Sequence, residues 1–546
     1  MDHTERDFSS LLRELNKIGI ALSAEKNHDR LLELILIKAM ELTNADGGTL
    51  YSCTDDNHLK FEILHNRSLD IHKGGTSGEE ISFYPIALYD DEGKPNDHMV
   101  AACAVTQAKT VNIADAYASE EFDFSGTRSF DSKMGYRSTS FLTVPMTNHE
   151  NDVIGVLQLI NSIDKDTEKV ISFSSLDQQL VESLASQAAV TITNKNLIDA
   201  QKNLFDSFIQ LIADAIDEKS PYTAGHCRRV PVLTSMLAEA TCRVDKGPYK
   251  DFSMTEEDKY ELEVAGWMHD CGKITTPEYV VDKGTKLETI FDRISLVDMR
   301  FEVLKRDAII ESLKSSLRNI KNSDDIDQEL NKNQILQNNL GTLTKERDEI
   351  RKYNVGGESL SEEDLARIEQ IANRTYVDAE GETVTLLDKE ELQNLQIGRG
   401  TLTIREREII NNHITVTIKM LESLTYPKHL ARVPEFAGGH HEKMDGTGYP
   451  NKLTREQMSI QARMMGIADI FEALTAGDRP YKKAMSLSKS LKILGNMKLS
   501  NHIDPDLFDV FINEGVYMDY ANQYLSPDQI DEIDFDDIPG YQPISK

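Results

Sequence analysis

Hydrophobic and polar residues alternate with two different periods along the first part of the chain. Residues 6–43 show the spacing of an amphipathic helix, with a break near residues 26–28. From Gly47 onward the pattern changes to the alternation that is typical of strands. Two further apolar runs, residues 140–145 and 153–160, flank a polar turn and are predicted to form a hairpin. The sequence therefore predicts an α+β domain of roughly 170 residues.

A long helical pattern follows, from Ser175 to Ile216, with hardly any interruption. Leu197, Leu204 and Leu211 recur every seven residues along it. This spacing suits a seam between two parallel helices from two chains. Packing of the helix on its own domain would account for the same spacing. We expect a homodimer that forms through this helix.

Residues 200–515 are mainly helical by pattern, apart from a highly charged segment at residues 286–400 that has few apolar runs. A solvated helical hairpin that buries little against its surroundings is the default interpretation of such a segment. A lid that closes over a substrate is the alternative. The last residues, 516–546, are acidic and are predicted to form a flexible tail.

The length and charge of the chain limit both its architecture and its partners. With 546 residues, it is too long for one ordinary core, so two or three domains are expected. Its 60 basic and 92 acidic residues give a formal net charge of −32. Such a surface repels nucleic acid and anionic membranes, so neither is an expected partner. Five cysteines without a CxxC pair, and no apolar run near the ~18 residues of a membrane span, predict a cytoplasmic protein.

Histidines and acids in the second half of the chain lie in five motifs that could bind metal. The donor residues are His226 in YTAGHCRRV, His269 and Asp270 in HDCGK, His413 in NNHITVT, His440 and His441 in GGHHEKMDGTGYP, and Asp469 in RMMGIADIFEALT. A single histidine on an apolar face is usually a satisfied core residue. Adjacent histidines before a Gly-rich turn are much less common in a core, and an acid in an apolar helix is costly unless it is paired or coordinated. Together, these donors suffice for two metals that share a carboxylate.

These motifs resemble those of the HD-GYP family, a subset of the HD metallohydrolase superfamily. His269-Asp270 and Gly448-Tyr449-Pro450 correspond to the two motifs in the family's name, and the match covers residues 200–285 and 400–500. The resemblance implies an all-α phosphodiesterase that hydrolyses cyclic di-GMP, or a related cyclic dinucleotide such as cyclic GMP-AMP, to linear pGpG or GMP. It also implies that residues 286–400 are an insertion.

The resemblance further implies a role for each matching residue. The first metal would be held by His226, His269, Asp270 and Asp469, and the second by Asp270, His413, His440 and His441. Lys273 would face the scissile phosphate, and Asp270 and Lys273 are the expected catalytic residues. Tyr449 would shape the substrate pocket, while Arg479 and Lys482 would contact phosphate. Tyr222 stands where some members have a Glu that binds a third metal, so two metals are expected, with iron or manganese favoured.

The N-terminal domain resembles a GAF domain, a small-molecule sensor module. The resemblance rests on the order of its elements and on GYRSTSFLTVPM followed by DVIGVLQLINS. It implies an antiparallel sheet with helices, and a small-molecule ligand that regulates the second domain. Asn161, Phe173 and Asp177 match a signature of cyclic-nucleotide-binding members, but Ser162 and Gln178 depart from it, so no ligand is assigned. A sheet used only for dimerisation is the alternative.

The predicted fold is therefore multidomain, with an α+β GAF domain before an all-α HD-GYP domain that carries a long helical insertion. The predicted segments are a GAF domain with its N-terminal helix at residues 1–195, a linker helix at 196–216, an HD-GYP domain at 217–515 with the insertion at 286–400, and a tail at 516–546. Two alternative functions are a catalytically silent receptor for the dinucleotide and an HD hydrolase of another nucleotide. The complete ligand set argues against the first and the GYP motif against the second.

Overall fold

The structure is a computed structural model that describes residues 3–25, 27–219, 225–319, 334–357, 359–477 and 484–542. The chain divides between Leu204 and Phe205 into two compact units, in agreement with the expectation of more than one domain. None of the helices in these ranges combines the length and the apolar character that a bilayer-spanning helix needs.

The N-terminal unit is built on an antiparallel sheet. Its strands are β1 (Ala45–Cys53), β2 (His58–Asn66), β3 (Ile71–Gly74), β4 (Ile86–Ala87), β5 (Val111–Ile113), β6 (Phe141–Thr147), β7 (Val153–Ile163) and β8 (Val170–Ile171). Along the sheet the order is β3-β2-β1-β7-β6-β5, with β4 paired to β2 and β8 to β7. The hairpin of β6 and β7 is confirmed, with Phe141 opposite Ile160.

Helices cover this sheet and complete the predicted α+β architecture, which is confirmed. They are α1 (His3–Ala24), α2 (His28–Thr43), α3 (Val100–Thr106), α4 (Ser125–Met134) and α5 (Ser175–Lys219). The predicted break lies between α1 and α2, where the side chain of Asn27 accepts a hydrogen bond from the backbone N–H of Arg30 and caps α2. Leu31 and Leu36 of α2 are fully buried in one core with Leu50 of β1 and Leu157 of β7.

The long helix predicted from Ser175 is confirmed as α5, whose 45 residues run from the first unit into the second. Val190, Leu197, Leu204 and Leu211 recur every seven residues along it and are exposed by 46, 57, 58 and 62%. This row of exposed apolar side chains is compatible with a seam between two chains. The homodimer itself stays a prediction.

The second unit is mainly helical, as predicted. Its helices are α6 (His226–Arg243), α7 (Glu256–Met268), α8 (Glu278–Val281), α9 (Ile294–Asn319), α10 (Gln334–Asn354), α11 (Glu362–Ala372), α12 (Lys389–Leu395), α13 (Ile404–Asn411), α14 (His413–Glu422), α15 (Val433–Gly438), α16 (Ile460–Thr475), α17 (Leu487–Leu499), α18 (Pro505–Asn513) and α19 (Val516–Tyr524). Leu233 of α6, Leu262 of α7, Phe436 of α15 and Phe471 of α16 are buried together in its main core. These four helices surround the predicted metal ligands.

The described part of residues 286–400, the predicted insertion, contains α9 to α12 and a hairpin of β9 (Thr375–Val377) and β10 (Thr383–Thr385). The expectation of a solvated helical hairpin is wrong, because the insertion has a hydrophobic core of its own, which is separate from the main core of the unit. Phe301 of α9, Ile350 of α10, Ile368 of α11 and Leu395 of α12 are fully buried there. Phe301, Ile350 and Ile368 each have a charged residue on both sides in the sequence, so each of their helices buries one narrow stripe.

Both ends of the insertion are fixed to one buried lysine. Lys283 Nζ donates hydrogen bonds of 2.9 Å to both carboxylate oxygens of Glu406 and to Asn394 Oδ1. Thr401 Oγ1 donates to the carbonyl oxygen of Lys283 at 2.8 Å. Glu406 belongs to α13, which leads directly into His413, so the insertion leaves and re-enters the unit beside the helix of a predicted metal ligand.

The predicted flexible tail also needs correction. Val516 and Tyr520 of α19 are buried in the main core of the second unit, and Ile538 is only 2% exposed. Ser488 donates a hydrogen bond from its backbone N–H to Asp531 at 2.8 Å. The acidic residues of this segment thus lie on its outer face. A few apolar residues pack against the main core of the second unit and hold the segment in place.

Candidate metal centre

All seven predicted metal ligands converge in the second unit, although they come from separate helices. His226 is the first residue of α6, His269 and Asp270 directly follow α7, and His413 begins α14. The adjacent histidines follow α15, and Asp469 lies on α16. Side chains at helix ends can project into a shared space without interrupting the helices. Six of the seven form two groups that have Asp270 in common: His226, His269 and Asp270; and Asp270, His413, His440 and His441.

Asp270 lies at the centre and presents one carboxylate oxygen to each group. Its Oδ2 is 3.3 Å from His226 Nε2 and 3.2 Å from His269 Nε2. Its Oδ1 is 3.2 Å from His413 Nε2. Asp469 Oδ1 completes the first group, 3.2 Å from His226 Nε2. A carboxylate with this arrangement can bridge two metals.

The backbone orients the imidazole rings of three of these histidines in the same way. The Nδ1 of His269 is 2.7 Å from the carbonyl oxygen of Gly266, and that of His440 is 2.6 Å from the carbonyl oxygen of Ala437. His413 Nδ1 meets the carbonyl oxygen of Ile410 at 2.5 Å. A carbonyl oxygen only accepts, so each Nδ1 carries the proton and each Nε2 keeps a lone pair for a ligand.

His226 is oriented by Glu472, a residue that the sequence analysis missed. The Nδ1 of His226 donates to the carboxylate of Glu472, which is 1% exposed and also accepts from Arg229 Nε at 2.7 Å. These two partners lower the pKa of Glu472 to about 2 against the opposing effect of burial. Glu472 lies three residues after Asp469 on α16, so the two acids share a helix face. That spacing is the sequence signal for it.

Atoms left without partners test whether the cluster suits metal ions. His269 Nε2 and His226 Nε2 are 3.3 Å apart, as are His413 Nε2 and His441 Nε2. Lone pairs that face each other need a cation between them. His440 Nε2 and Asp270 Oδ1 are buried without a hydrogen-bond partner among the described residues. Such orphaned polar atoms are rare in a folded core unless a ligand satisfies them.

The protonation of the adjacent histidines also suits a metal. Burial lowers the pKa of His441 to about 4 and that of His440 well below its ordinary value. Both imidazoles are therefore neutral near pH 7, which is the form that binds metal. The residues present thus fit a pair of metals by their geometry, their orphaned atoms and their protonation.

Two glycines allow the loops that carry these side chains to approach closely. A Cβ on Gly272 would lie 2.0 Å from the carbonyl oxygen of His413, so only glycine lets the HDCGK segment pack on α14. A Cβ on Gly448 would lie 2.5 Å from Glu442 Cα. Glu442 holds the same loop by accepting from the backbone N–H groups of Asn451 and Leu453 at 2.7 and 2.9 Å. Glu442 is therefore a structural residue of this loop that has no predicted role.

Two of the predicted substrate-contacting residues lie at the cluster. Lys273 Nζ is 2.5 Å from Asp270 Oδ2, and its side chain is 20% exposed. The ring of Tyr449 stacks on that of His441 with centroids 4.9 Å apart and planes at 23°. Arg479 and Lys482 lie outside the described residues, as does Tyr222, so their predicted roles stay predictions.

Comparison with known families gives one match in each unit. Residues 27–192 match the GAF domain, and residues 390–507 match the HD domain. The first match spans the sheet of the N-terminal unit. The second contains His413, His440, His441 and Asp469. The chain thus carries an N-terminal GAF domain and a C-terminal HD domain, as the sequence predicts.

Three curated relatives are phosphodiesterases of cyclic dinucleotides. A 3'3'-cGAMP-specific phosphodiesterase 3 of Vibrio cholerae is 24% identical over 376 residues, which cover 65% of this chain and 53% of that protein. A cyclic di-GMP phosphodiesterase of Pseudomonas aeruginosa is 35% identical over 119 residues, or 22% of this chain and 28% of the relative. A 3'3'-cGAMP-specific phosphodiesterase 1 of Vibrio cholerae is 40% identical over 80 residues, or 15% and 18%. The chain therefore spans about half the length of the first relative and less than a third of the other two.

Proposed function

We propose that this chain, a GAF domain followed by an HD domain, is a metal-dependent phosphodiesterase of a cyclic dinucleotide, either cyclic di-GMP or 3'3'-cGAMP. The observation that carries the proposal is the position of Asp270, whose two carboxylate oxygens face two separate groups of imidazoles. The names of the relatives support the substrate class. The product would be linear pGpG or GMP when cyclic di-GMP is the substrate.

The seven donors would divide between two metals. His226, His269 and Asp469 would hold one, His413, His440 and His441 the other, and Asp270 both. Two divalent metals in such a site supply a water of lowered pKa and neutralise charge on the phosphate. Mixed imidazole and carboxylate donors suit iron or manganese as well as zinc, and the resemblance to HD-GYP proteins favours the first two.

The remaining residues of the site would position the substrate and compensate charge. Lys273 would release Asp270 to the metals and turn its ammonium towards the phosphate, where it stabilises the negative charge that develops during hydrolysis. Tyr449 forms a flat wall beside His441 against which a base or ribose could pack. Arg479 and Lys482 are proposed as further phosphate contacts. Local cations are required because the chain as a whole carries a net charge of −32.

Metal content and turnover together test this function. After anaerobic purification and reconstitution with Fe²⁺ or Mn²⁺, we expect about two metals per chain and hydrolysis of cyclic di-GMP or 3'3'-cGAMP. Less than one metal per chain would overturn the assignment of the site. Two metals and tight binding of the dinucleotide without turnover would identify a silent receptor instead. Turnover of other nucleotides alone would identify a different HD hydrolase.

The GAF domain would regulate this activity by binding a small molecule. Its cavity of about 430 Å³ is lined by aromatic side chains that include Tyr51, Phe61 and Phe141. Within the described residues, the lining contains no lysine or arginine to meet a phosphate. An aromatic compound without phosphate groups is therefore the ligand class that the cavity suits best.

The continuity of α5 supports regulation through this helix, and the exposed row along it supports a homodimer. A rigid helix transmits a displacement that a flexible linker absorbs. A short Gly-Ser insertion after Lys202 should therefore change the basal rate, or abolish its response to a GAF ligand, without loss of metal. An unchanged rate and an unchanged response would contradict the coupling. Sedimentation of the native chain, and of a Leu204→Glu variant, tests the dimer.

A further inference from the structure

The last residue of α5 makes an unusual set of contacts with the HDCGK segment. Lys219 Nζ donates hydrogen bonds to three main-chain carbonyl oxygens: those of Lys273 at 3.2 Å, Ile274 at 2.6 Å and Thr276 at 2.6 Å. An ammonium group has three protons to donate, and here each is directed at the backbone of one loop. Among the described residues, the hydrogen bonds of this ammonium group go to main-chain carbonyl oxygens rather than to a carboxylate.

The position of these carbonyl groups explains why they attract a cation. Residues Cys271–Thr275 form a short 3₁₀ helix that directly follows Asp270. Carbonyl groups at the end of a helix have few partners within it and carry partial negative charge, which a lysine compensates. That of Lys273 also accepts a hydrogen bond from the backbone N–H of Thr276 at 3.0 Å. Lys219 therefore acts as a cap supplied by a distant part of the chain, and it fixes the end of this 3₁₀ helix.

The beginning of the same 3₁₀ helix is fixed from the metal side. The backbone N–H of Gly272 donates to Thr417 Oγ1 of α14 at 2.9 Å, and the glycine packs against the backbone of His413. Lys273 thus lies on a loop with two anchors, one on a metal-ligand helix and the other on Lys219. Without Lys219, the carbonyl oxygen of Lys273 would lose one hydrogen-bond donor. The backbone from which the Lys273 side chain extends would then be held less firmly.

The preceding turn of α5 reaches the other side of the metal site. Asp217 Oδ2 accepts from the backbone N–H of Gly225 at 2.9 Å, directly before His226. Asp214 pairs with Arg228 one turn into α6 at 2.7 Å. The end of α5 therefore holds the segments that precede His226 and follow Asp270, so a shift of this helix end reaches both.

From these contacts we propose that Lys219 is a positioning residue that sets the placement of Lys273 and makes it depend on the position of α5. The proposal rests on the proposed phosphodiesterase function. It adds a residue that touches neither metal nor substrate. It also names the atoms through which a displacement of α5 would change the rate.

The main test is Lys219→Met, which keeps the apolar stem and removes all three donors. We expect kcat to fall about tenfold or more because the charge of Lys273 is no longer aimed at the phosphate. Metal content and the midpoint of thermal unfolding should stay close to those of the native chain, and KM should change less than kcat. Lys219→Arg, which keeps a cation, should recover part of the rate. Lys246→Ala, at an exposed lysine of the same unit, is the control and should match the native chain.

A double-mutant cycle separates positioning from general support of the fold. If Lys219 acts through Lys273, Lys219→Met should have little further effect in a Lys273→Ala background, because the two losses are not additive. An equal loss in both backgrounds, or a Lys219→Met rate within about twofold of native, would overturn the proposal. If Lys219→Met does not fold, Lys219→Gln, which retains one donating amide, takes its place. Its kcat is then measured alone and in the Lys273→Ala background. A native chain that holds metal but hydrolyses no dinucleotide contradicts the proposed function instead, and is recognised before any variant is made.

Discussion

The metal centre and the insertion both bury charged groups in the second unit, but they satisfy them in opposite ways. In the insertion, Glu346 is 3% exposed, and both of its carboxylate oxygens accept hydrogen bonds from Arg374, with a further one from Arg367. In the metal centre, like groups face each other, as His226 Nε2 and His269 Nε2 do at 3.3 Å. Opposite charges that pair are complete within the chain. Imidazole lone pairs that face each other require a cation that the chain itself does not supply.

This difference distinguishes a cluster that stabilises the fold from one that is suited to bind a ligand. A paired buried charge offsets the cost of its own desolvation and needs no ligand. Orphaned atoms such as His440 Nε2 cost free energy unless a ligand satisfies them, and metal binding would do so. We therefore expect substitutions in the metal centre to change chemistry, and substitutions in the insertion to change local stability.

The largest effect is expected at Asp270, the carboxylate shared by both groups. Asp270→Ala should leave neither metal with a full ligand set, so metal content should fall below one per chain and kcat by about a thousandfold or more. Metal analysis and a hydrolysis assay on the same sample measure both. The control is Asp251→Ala, at an exposed aspartate of the same unit. Retention of two metals by Asp270→Ala would show that the carboxylate does not bridge.

A smaller loss is expected at Lys273. Lys273→Ala should retain both metals, because the lysine competes with them for Asp270 Oδ2 at 2.5 Å rather than holding them. The rate should fall about a hundredfold, the cost of one charge-stabilising donor at a phosphate. Metal content and kcat are again measured together. If this variant loses metal as well, the role assigned to Lys273 is wrong.

The insertion contains a charge that is poorly compensated, and its effect should be on stability. Lys286 is 1% exposed, and its Nζ donates to the carbonyl oxygen of Leu395 at 3.1 Å. Burial lowers the pKa of Lys286 to about 8. Between pH 8 and the higher pKa of an unfolded lysine, the unfolded state binds more protons, so the free energy of unfolding should rise with pH, by up to about 3 kcal/mol.

Lys286→Met should remove that rise and stabilise the insertion at pH 7. Hydrogen exchange of α10, corrected for the intrinsic rates at pH 7 and pH 9.5, reports the local free energy of opening. Lys345→Met, on α10 itself, controls for the loss of a positive charge. A native insertion that is equally stable at both pH values would contradict the lowered pKa.

The two regions also differ in how much of them the sequence predicts. The seven proposed metal ligands could be identified because histidine and aspartate in those motifs have few structural uses, and the structure brings all seven together. Glu472 was missed because its partner, His226, is distant in the chain, and an acid on a helix is commonplace. The core of the insertion was missed for a related reason. Apolar residues such as Ile350 and Ile368 are spaced singly among charges, and only the packing of several short helices makes them a core.

The C-terminal segment gives the same lesson on a smaller scale. Its acidic composition predicts a flexible tail, yet Tyr520 and Ile538 bury almost completely. Composition averages over residues, whereas attachment to a core depends on a few of them. Metal-donor residues can therefore be predicted from a single sequence motif. Packing can be predicted only when the residues that contact each other are known.

The smallest effect on catalysis is expected from removal of the insertion. Replacement of Leu287 to Arg399 by a short Gly-rich loop should leave two metals and keep kcat within about threefold of native. None of the ligands lies in this segment, and its core is separate from that around the metal centre. The cut preserves the contacts that hold the ends together, because Lys283, Thr401 and Glu406 all remain. A hydrolysis assay and metal analysis of the shortened chain test this.

The matched control is Lys283→Met in the full chain, which keeps the insertion and breaks its attachment beside α13. Loss of metal in both variants would show that the attachment supports His413, and that the insertion is part of the fold of the centre. Retained metal with hydrolysis reduced about a hundredfold, or roughly 3 kcal/mol of transition-state stabilisation, would show instead that the insertion acts as a lid. Retained metal and a retained rate would show that the metal centre and the insertion are independent in function, as their separate cores are in structure. The paired charges would then stabilise only the insertion, and the converging donors would serve only the chemistry.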